Sequence, residues 1–197
     1  VDPSVFVRFP VTQGALASKY SDLSLLVWTT TPWTLVSNTA IAVKPTAIYS
    51  VVSHEGQHYV VAQDLVEDLF GAPIGAEGED GEEGIARYQI METLSGTELE
   101  RVGYQRPFDL IDIPQSHFVI LADYVTTDDG TGLVHQAPAF GADDLISCRA
   151  YGLPVVNPIA PDGTFMPDTP LIGGQFFKTA DTCPLYTPHS AHDTTPP

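Results

Sequence analysis

Short apolar runs rich in β-branched residues recur along the chain, and they predict β-strands more often than helices. The nearly continuous apolar run at 23–28 is typical of a strand that is buried on both faces. Glu55-Gly56, between two such runs, predicts a hairpin turn. The predicted strands cover 5–9, 23–28, 40–43, 48–52, 58–61, 87–92, 118–121 and 132–135, and further short segments at 154–159 and 173–177 end the interpretable pattern.

Two segments have helical spacing instead. In 64–70 the apolar positions fall on one face and Gly71 follows, whereas 141–151 has two acidic residues in its first turn and Gly152 after its end. We therefore expect a mainly β fold with a β-barrel-like core and a few short helices. The organised domain is predicted to cover 1–177, and 178–197, which is rich in Thr, Pro, His and Asp, is predicted to be an irregular tail.

Charge limits the partners that the chain can bind. Its 197 residues include 25 Asp plus Glu and 8 Lys plus Arg, which gives a formal net charge of −17. This balance argues against a protein that wraps duplex DNA or lies on an anionic membrane, because both need many cations. A pocket that binds only one short end of a polyanion is still compatible with this net charge. Five of the acids fall in 75–84, which is predicted to be an acidic, solvated loop.

Other absences point to a piece of a larger cytoplasmic protein. The chain begins with Val1, and its only methionines are Met91 and Met166, so we expect a fragment cut from something longer. No apolar run approaches the roughly 20 residues of a membrane-spanning helix. Cys148 and Cys183 are far apart and unpaired by motif, which predicts two free thiols in a reducing compartment.

The common catalytic and cofactor motifs are absent from the sequence. There is no GxSxG nucleophile elbow and no phosphate-binding GxxxxGK[ST] loop. His54 and His58 are four residues apart, but they flank the predicted hairpin turn and do not share a helical face. We therefore expect neither a metal nor a cofactor.

The first segment with chemical potential is WTTTPWTLVSN at 28–38. Three threonines end a buried strand and Pro32 breaks the ladder, so their hydroxyls cannot all point into an apolar core. These hydroxyls either cap free backbone groups in a turn or face a ligand, since each can both donate and accept a hydrogen bond. The local pattern favours the turn.

The second segment is GTGLVHQAPAFGADD at 130–144. It presents His135 at a strand end, then a proline turn, then Asp143 and Asp144 at the start of a helix. Taken singly, His135 is more simply a satisfied, half-buried imidazole and Asp144 a helix-capping residue. Together, the two side chains can line one cleft.

The two segments, in this order, resemble the editing domain (connective peptide 1) of isoleucyl-tRNA synthetases, over about residues 1–177. Valyl and leucyl relatives carry Thr-Thr-Arg-Pro in the first segment, whereas Thr31 stands here in place of that arginine. His135 after Val134 is also similar to the isoleucyl branch. The HIGH and KMSKS motifs of the aminoacylation core are absent, which fits an excised insertion. After Lys178 the closing helix of the family is not recognisable.

The resemblance implies the editing-domain fold of the class I synthetases for valine, isoleucine and leucine. It implies hydrolysis of valine wrongly esterified to tRNA(Ile), with valyl-adenylate as a second substrate. The implied catalytic residues are Asp144, which holds the α-ammonium, and Thr29, Thr30 and Thr31 around the ester. The implied substrate-binding residues are His135, which crowds the side-chain pocket, and Thr34, Asn38, Trp33, Phe140 and Gly141. The implied partners are the aminoacylated 3′ end of tRNA(Ile), its valine moiety and the rest of the parent synthetase.

Three other hypotheses remain open from the sequence. The chain could be a non-catalytic β-barrel module that binds an amino acid or a nucleoside. It could be a structural insertion in which the threonines and Asp144 serve only as caps. A zinc hydrolase that uses His54 and His58 is the most distant of the three.

Overall fold

The computed structural model describes residues 4–71 and 88–180, and it consists mainly of one nine-stranded sheet. The acidic loop predicted at 75–84, residue Cys183 and most of the predicted tail lie outside the described residues. The strands are β1 (Val5–Gln13), β2 (Leu23–Thr29), β3 (Ala40–Val43), β4 (Ile48–His54), β5 (Gln57–Ala62), β6 (Tyr88–Ser95), β7 (Gly103–Tyr104), β8 (Phe118–Leu121) and β9 (Leu133–Gln136). The helices are α1 (Ala15–Lys19), α2 (Val66–Phe70), α3 (Ala142–Ala150) and α4 (Phe177–Ala180).

The prediction of a mainly β fold with a few short helices is confirmed. The eight predicted strands between residues 5 and 135 are present with shifted ends, and the two predicted helices appear as α2 and α3. The further segments at 154–159 and 173–177 are not strands and contribute only the isolated bridges Ile159–Phe165 and Thr164–Phe176. Helices α1 and α4, strand β7 and a 3-10 helix at Pro32–Ser37 were not predicted, because each is too short to show a period in the sequence.

The sheet is open, so the barrel-like core of the sequence prediction is not a closed barrel. The strand order is β6-β4-β5-β2-β1-β7-β8-β3-β9, and the two edge strands, β6 and β9, do not pair with each other. The sheet curls until β9 approaches β2. A cavity lined by residues of both strands lies between them, in place of a hydrogen-bonded ladder.

Buried central strands organise the core. Strand β2 pairs antiparallel with β1 and parallel with β5, and six of its seven residues are buried, as the continuous apolar run predicts. Strand β3 is buried at all four positions, between β8 on one side and β9 on the other. The β3–β9 register pairs Ile41 with His135, which fixes the position of the histidine relative to the core.

The β4–β5 hairpin separates the two histidines that were considered as metal ligands. Glu55 and Gly56 form the predicted turn, with φ of 48° and 80°. His54 is buried against Phe70, with 5.2 Å between ring centroids. His58 Nδ1 instead lies 2.9 Å from Asp22 Oδ1. The two rings therefore have different surroundings and do not converge on one point.

Two further observations concern the described residues. Cys148 is a free, buried thiol on α3. None of the helices within 4–71 and 88–180 has the length and apolar character that a bilayer crossing requires.

Gly132, in the loop before β9, packs closely against the end of β5. Its φ is +74°, and a Cβ built on it would lie 2.3 Å from Ala62 Cβ. Gly152 has a similar φ of +70°, but a Cβ built there would have nothing within 4 Å. A comparison of substitutions at these two glycines therefore separates the effect of backbone conformation from the effect of crowding.

We expect Gly132→Ala to lower the free energy of unfolding clearly more than Gly152→Ala. Both substitutions incur roughly 1–2 kcal/mol for the left-handed backbone. Gly132→Ala adds about 1–3 kcal/mol of overpacking, because the backbone of β5 cannot move away freely. Urea unfolding of both variants measures the difference. Equal losses would show that the contact with Ala62 relaxes at no cost.

Candidate functional site

A cavity of about 380 Å³ lies where β2, the 3-10 helix, β9 and the start of α3 meet. The loop before β9 forms another of its walls. The lining residues are Trp28, Thr29, Thr30, Thr31, Trp33, Thr34, Thr126, Asp129, Gly130, Thr131, Gly132, Leu133, Val134, His135, Ala137, Phe140, Gly141 and Asp144. Nine of the ten site residues predicted from the sequence are in this set, and the tenth, Asn38, is not.

The threonine-rich segment serves both the turn and the cavity. The Thr31 N–H donates to Thr29 Oγ1 at 3.2 Å, and Thr34 Oγ1 donates to the Thr31 carbonyl at 2.8 Å. These bonds stabilise the break between β2 and the 3-10 helix, as the turn interpretation requires. Thr30 differs, because its side chain is exposed to the cavity and makes no hydrogen bond to the described residues. Its hydroxyl is therefore available to a ligand.

His135 is held by hydrogen bonds at both ring nitrogens. Nδ1 lies 2.8 Å from Asn38 Nδ2, and Nε2 lies 2.9 Å from Thr34 Oγ1. The amide nitrogen of Asn38 can only donate, so Nδ1 accepts. The Thr34 hydroxyl hydrogen is already directed at a carbonyl, so Nε2–H is the donor to Thr34 Oγ1. This pattern assigns the neutral Nε2–H tautomer to His135.

Burial keeps the imidazole uncharged. Only 8% of His135 is exposed, and burial lowers its pKa from 6.5 to about 4, against a smaller opposing effect of the Thr34 backbone. No carboxylate is among its hydrogen-bond partners. At neutral pH, His135 is therefore a rigid, neutral wall of the cavity, and it has no free nitrogen to accept a proton.

Asn38 lies behind His135 and not at the cavity surface. It is fully buried, and its amide also donates to the Ala40 carbonyl at 3.0 Å. Its Oδ1 accepts a hydrogen bond of 2.7 Å from the hydroxyl of Tyr104. Asn38 is therefore not among the residues that line the cavity. It orients the ring of His135 from behind, and its direct contact with a ligand stays a prediction. The sequence contained no signal for Tyr104, because the contact spans 66 positions.

Asp144 lies in the first turn of α3 and lines the cavity together with the threonine segment. The Ala137 N–H donates to its Oδ2 at 2.8 Å, so the carboxylate caps the turn before the helix. Burial raises the pKa of Asp144, and the hydrogen bond from Ala137 partly opposes this shift. A carboxylate that is fixed and partly desolvated in this way binds a cation strongly.

Gly141 makes room for this carboxylate. A Cβ built on Gly141 would lie 2.7 Å from Asp144 Cγ and 2.8 Å from its Oδ1. The φ of Gly141 is −121°, so crowding and not backbone conformation is the reason for a glycine here. Gly141 therefore acts through Asp144.

Aromatic rings close one side of the cavity. Trp33 packs edge-to-face on Phe140, with 4.8 Å between ring centroids, and also contacts Phe177 at 4.6 Å. Of these three rings, those of Trp33 and Phe140 line the cavity. Phe177 supports Trp33 from outside the cavity. Trp33 and Phe140 thus form a wall of the cavity.

Sequence reasoning missed several lining residues. Gly130 and Gly132 have φ of +66° and +74°, and a Cβ at Gly130 would lie 3.1 Å from the ring of Trp28. The Gly-Thr-Gly spacing was a usable signal for a tight loop beside a ligand, but it indicated only an incomplete dinucleotide turn. Thr126 and Asp129 carried no signal, because the fold brings their loop to the cavity.

The curated relatives found by comparison with known proteins are isoleucine–tRNA ligases. No family model matches the chain. Isoleucine–tRNA ligase from Streptomyces coelicolor is 54% identical over 182 residues, which cover 92% of this chain and 16% of the relative. The isoleucine–tRNA ligase of Thermobifida fusca is 56% identical over 181 residues, with coverages of 91% and 16%. The chain thus spans about one sixth of the length of these relatives.

Solved structures agree on the fold. A crystal structure described as GlLeuRS-CP1 matches with a TM-score of 0.64 and 16% identity, covering 91% of this chain and 93% of that one. The editing domain of the P. knowlesi cytosolic leucyl-tRNA synthetase matches with a TM-score of 0.54 and 13% identity, covering 76% and 63%. The fold is therefore that of a synthetase editing domain.

The neutral state of His135 predicts how stability depends on pH. In the unfolded chain the ring binds a proton near pH 6.5, and in the folded chain only near pH 4. Between these values the unfolded state binds more protons, so stability falls as the pH falls from about 6.5 towards 4. We expect the His135 ring signals in NMR spectra to titrate near pH 4.

A variant isolates this contribution from those of the other histidines. His135→Gln removes the titrating ring, so its free energy of unfolding should depend less on pH between 6.5 and 4 than that of the unmodified chain. An unchanged pH dependence, or a ring that titrates near 6.5, would contradict the buried neutral state.

Proposed function

We propose that this chain, which belongs to the isoleucine–tRNA ligase family and has the fold of synthetase editing domains, hydrolyses the ester between valine and tRNA(Ile). The observation that carries the proposal is one cavity that combines a fixed carboxylate, a neutral imidazole wall and the free hydroxyl group of Thr30. These groups fit the three parts of an aminoacyl ester: its ammonium, its side chain and its ester oxygens.

Asp144 is the group that would bind the α-ammonium. Its Oδ2 accepts a hydrogen bond from the Ala137 N–H, which holds this oxygen in place beside the cavity. A charge-assisted hydrogen bond to the ammonium orients the ester in the same way for any amino acid. This contact therefore provides positioning and leaves selection to another part of the cavity.

Hydrolysis in this cavity requires no protein nucleophile. An aminoacyl ester is already activated, so a water oxygen can attack the carbonyl carbon, and the bond to the ribose oxygen then breaks. The ribose oxygen takes up a proton, and free valine and tRNA(Ile) leave. His135 is not the general base, because both its nitrogens are engaged and its pKa is about 4.

The exposed hydroxyl of Thr30, with Thr31 beside it, is the group best suited to hold that water or the carbonyl oxygen. A hydroxyl can accept from water and donate to the oxyanion that forms during attack. Thr29 and Thr34 support this arrangement through the bonds that fix the turn. Catalysis then rests on positioning and on electrostatic stabilisation of the oxyanion.

His135 would select the substrate by size. A hydrophobic site distinguishes one methylene by about 1–3 kcal/mol, a general value already known for synthetases that choose between isoleucine and valine. A second site that is too small for isoleucine multiplies this selectivity. A ring clamped by Asn38 and Thr34 suits this task, because it cannot rotate away to admit a larger side chain.

The partners follow from this reaction. The cavity takes the aminoacylated 3′ end of tRNA(Ile), and valyl-adenylate has the same valyl and adenosine groups and is a second substrate. With a net charge of −17, the chain has few cations for the body of the tRNA, which the rest of a parent synthetase in the cytoplasm would hold.

Asp144→Asn tests the ammonium contact with almost no change in shape. We expect kcat/KM for valyl-tRNA(Ile) to fall by at least about 30-fold, since loss of a partly buried charge pair costs about 2 kcal/mol or more. Measured deacylation of valyl-tRNA(Ile) by the full chain gives this ratio. Asp143→Asn is the matched control, because Asp143 is exposed on the same turn and does not line the cavity.

Equal activities of the Asp144→Asn and Asp143→Asn variants would refute the assigned role of Asp144. Binding of valyl-tRNA(Ile) without turnover by the unmodified chain would favour the non-catalytic binding module. Loss of stability alone in Asp144→Asn would favour the structural insertion, in which Asp144 serves only as a cap.

His135→Ala tests the size selection. We expect the variant to deacylate isoleucyl-tRNA(Ile), because removal of the ring opens space beside the amino-acid side chain. His58→Ala, at the surface hydrogen bond with Asp22, should leave the correct product intact. Deacylation assays with isoleucyl- and valyl-tRNA(Ile) measure the ratio. A folded His135→Ala protein that still spares isoleucyl-tRNA(Ile) would show that another group excludes isoleucine.

A further inference from the structure

Cations are scarce in this chain, and most of those described are already engaged. Lys19 forms an ion pair with Glu92, and the Arg106 guanidinium binds Asp109. The guanidinium of Arg101 lies over the ring of Phe118 at 4.4 Å. Lys44 makes no ion pair within residues 4–71 and 88–180, which is equally true of the exposed Arg149 and Lys178, but Lys44 lines a cavity. In a chain with 25 acids and 8 basic side chains, an unpaired lysine in a cavity requires an explanation.

Lys44 lines a second cavity, of about 330 Å³. The other polar side chains of its wall are Thr46, Gln63 and Thr127, which can donate hydrogen bonds, and Asp64, which cannot when ionised. One ammonium with several neutral donors is the chemistry that binds a phosphodiester oxygen.

The second cavity adjoins the proposed editing cavity. Thr126 lines the first cavity and Thr127 the second, and consecutive Cα atoms are about 3.8 Å apart. Tyr49 also connects the two walls. Its hydroxyl accepts from the Lys44 N–H at 2.9 Å and donates to the Gly132 carbonyl at 2.9 Å. Gly132 is a wall residue of the first cavity.

The backbone at Lys44 is held firmly in this position. Lys44 follows directly after the buried strand β3, and its carbonyl accepts from the Ala47 N–H in a tight turn. A Cβ built on Gly96 would lie 1.9 Å from the Lys44 carbonyl oxygen, so the turn packs directly against Gly96. The side chain of Lys44 can still rotate, but its backbone has a fixed position relative to the editing cavity.

We infer that the second cavity binds a backbone phosphate of the RNA strand whose aminoacylated 3′ adenosine occupies the first cavity, with Lys44 as its cation. The inference rests on the proposed function for the identity of the strand. A phosphate next to the terminal nucleoside must lie near the mouth of the first cavity, and Lys44 is the unpaired cation of the adjoining wall. The contact positions the strand and reads no base.

Asp64 provides a second test of the inference, because its effect on phosphate binding should be opposite to that of Lys44. Its exposed carboxylate lies on the wall of the same cavity and repels a phosphate. The attraction of Lys44 and the repulsion of Asp64 are both screened by salt, so each effect should be moderate and dependent on ionic strength. Asp128 and Asp129 directly follow Thr127 on the neighbouring loop, and Asp129 accepts a hydrogen bond from Thr126 at 3.2 Å.

The test compares two substrates on the full chain: valyl-tRNA(Ile), which has the phosphates, and valyl-adenosine, which has none. The readout is the ratio of kcat/KM for the tRNA ester to that for the adenosine ester. Lys44→Gln should lower this ratio by roughly threefold to tenfold at low salt, and Asp64→Asn should raise it. Lys19→Gln is the control, because it changes the net charge equally at a residue outside both cavities.

A binding measurement is independent of turnover. The affinity for a short single-stranded RNA with an unacylated 3′ adenosine is measured against salt concentration. For Lys44→Gln the logarithmic salt slope should be smaller by about 0.7, the value for one lost phosphate contact on a single strand. An unchanged slope and an unchanged substrate ratio would overturn the inference. Hydrolysis of neither ester by the unmodified chain would instead refute the proposed function, while the salt slope would still decide whether Lys44 binds phosphate.

Discussion

The set of buried hydrogen bonds around His135 is the interaction on which the site depends. It joins four parts of the chain: β9 through His135, the 3-10 helix through Thr34, the segment between this helix and β3 through Asn38, and β7 through Tyr104. A buried polar group without a partner costs about 1–3 kcal/mol, so each member constrains the others. The imidazole is consequently neutral and fixed in one tautomer. Because each ring nitrogen of His135 has a hydrogen-bond partner, this wall of the cavity is rigid.

The open sheet explains why the cavity exists. A closed barrel would pair β9 with another strand and fill the space with side chains. Within residues 4–71 and 88–180, β9 pairs only with β3, and the ends of β2 and β9 both line the cavity. The loop with Gly130 and Gly132 covers part of this cavity. Its glycines let the backbone approach Trp28 and Ala62 more closely than any side chain would allow.

The charges of the chain do not act equally on all parts of the proposed ligand. A net charge of −17 disfavours contact with the body of a nucleic acid, yet the proposed ligand presents an ammonium to Asp144 and a single phosphate to Lys44. Burial raises the pKa of Asp144 and lowers that of His135, so both shifts oppose charge inside the cavity. The carboxylate is stabilised by Ala137 and by the cation that it would bind, whereas the imidazole has no counterion and stays neutral.

The sequence by itself determined the mainly β class, the two helices and both segments of the site. Apolar runs, turn residues and the threonine and Gly-Thr-Gly segments are local signals, and the fold preserves them. The tertiary structure alone decided that the sheet stays open, that Asn38 supports His135 from behind, and that Tyr104 and Tyr49 connect distant strands. These features depend on contacts between residues 66 to 97 positions apart, which no local pattern encodes. Lys44 was visible in the sequence as a lysine, but only the folded chain puts it beside the cavity.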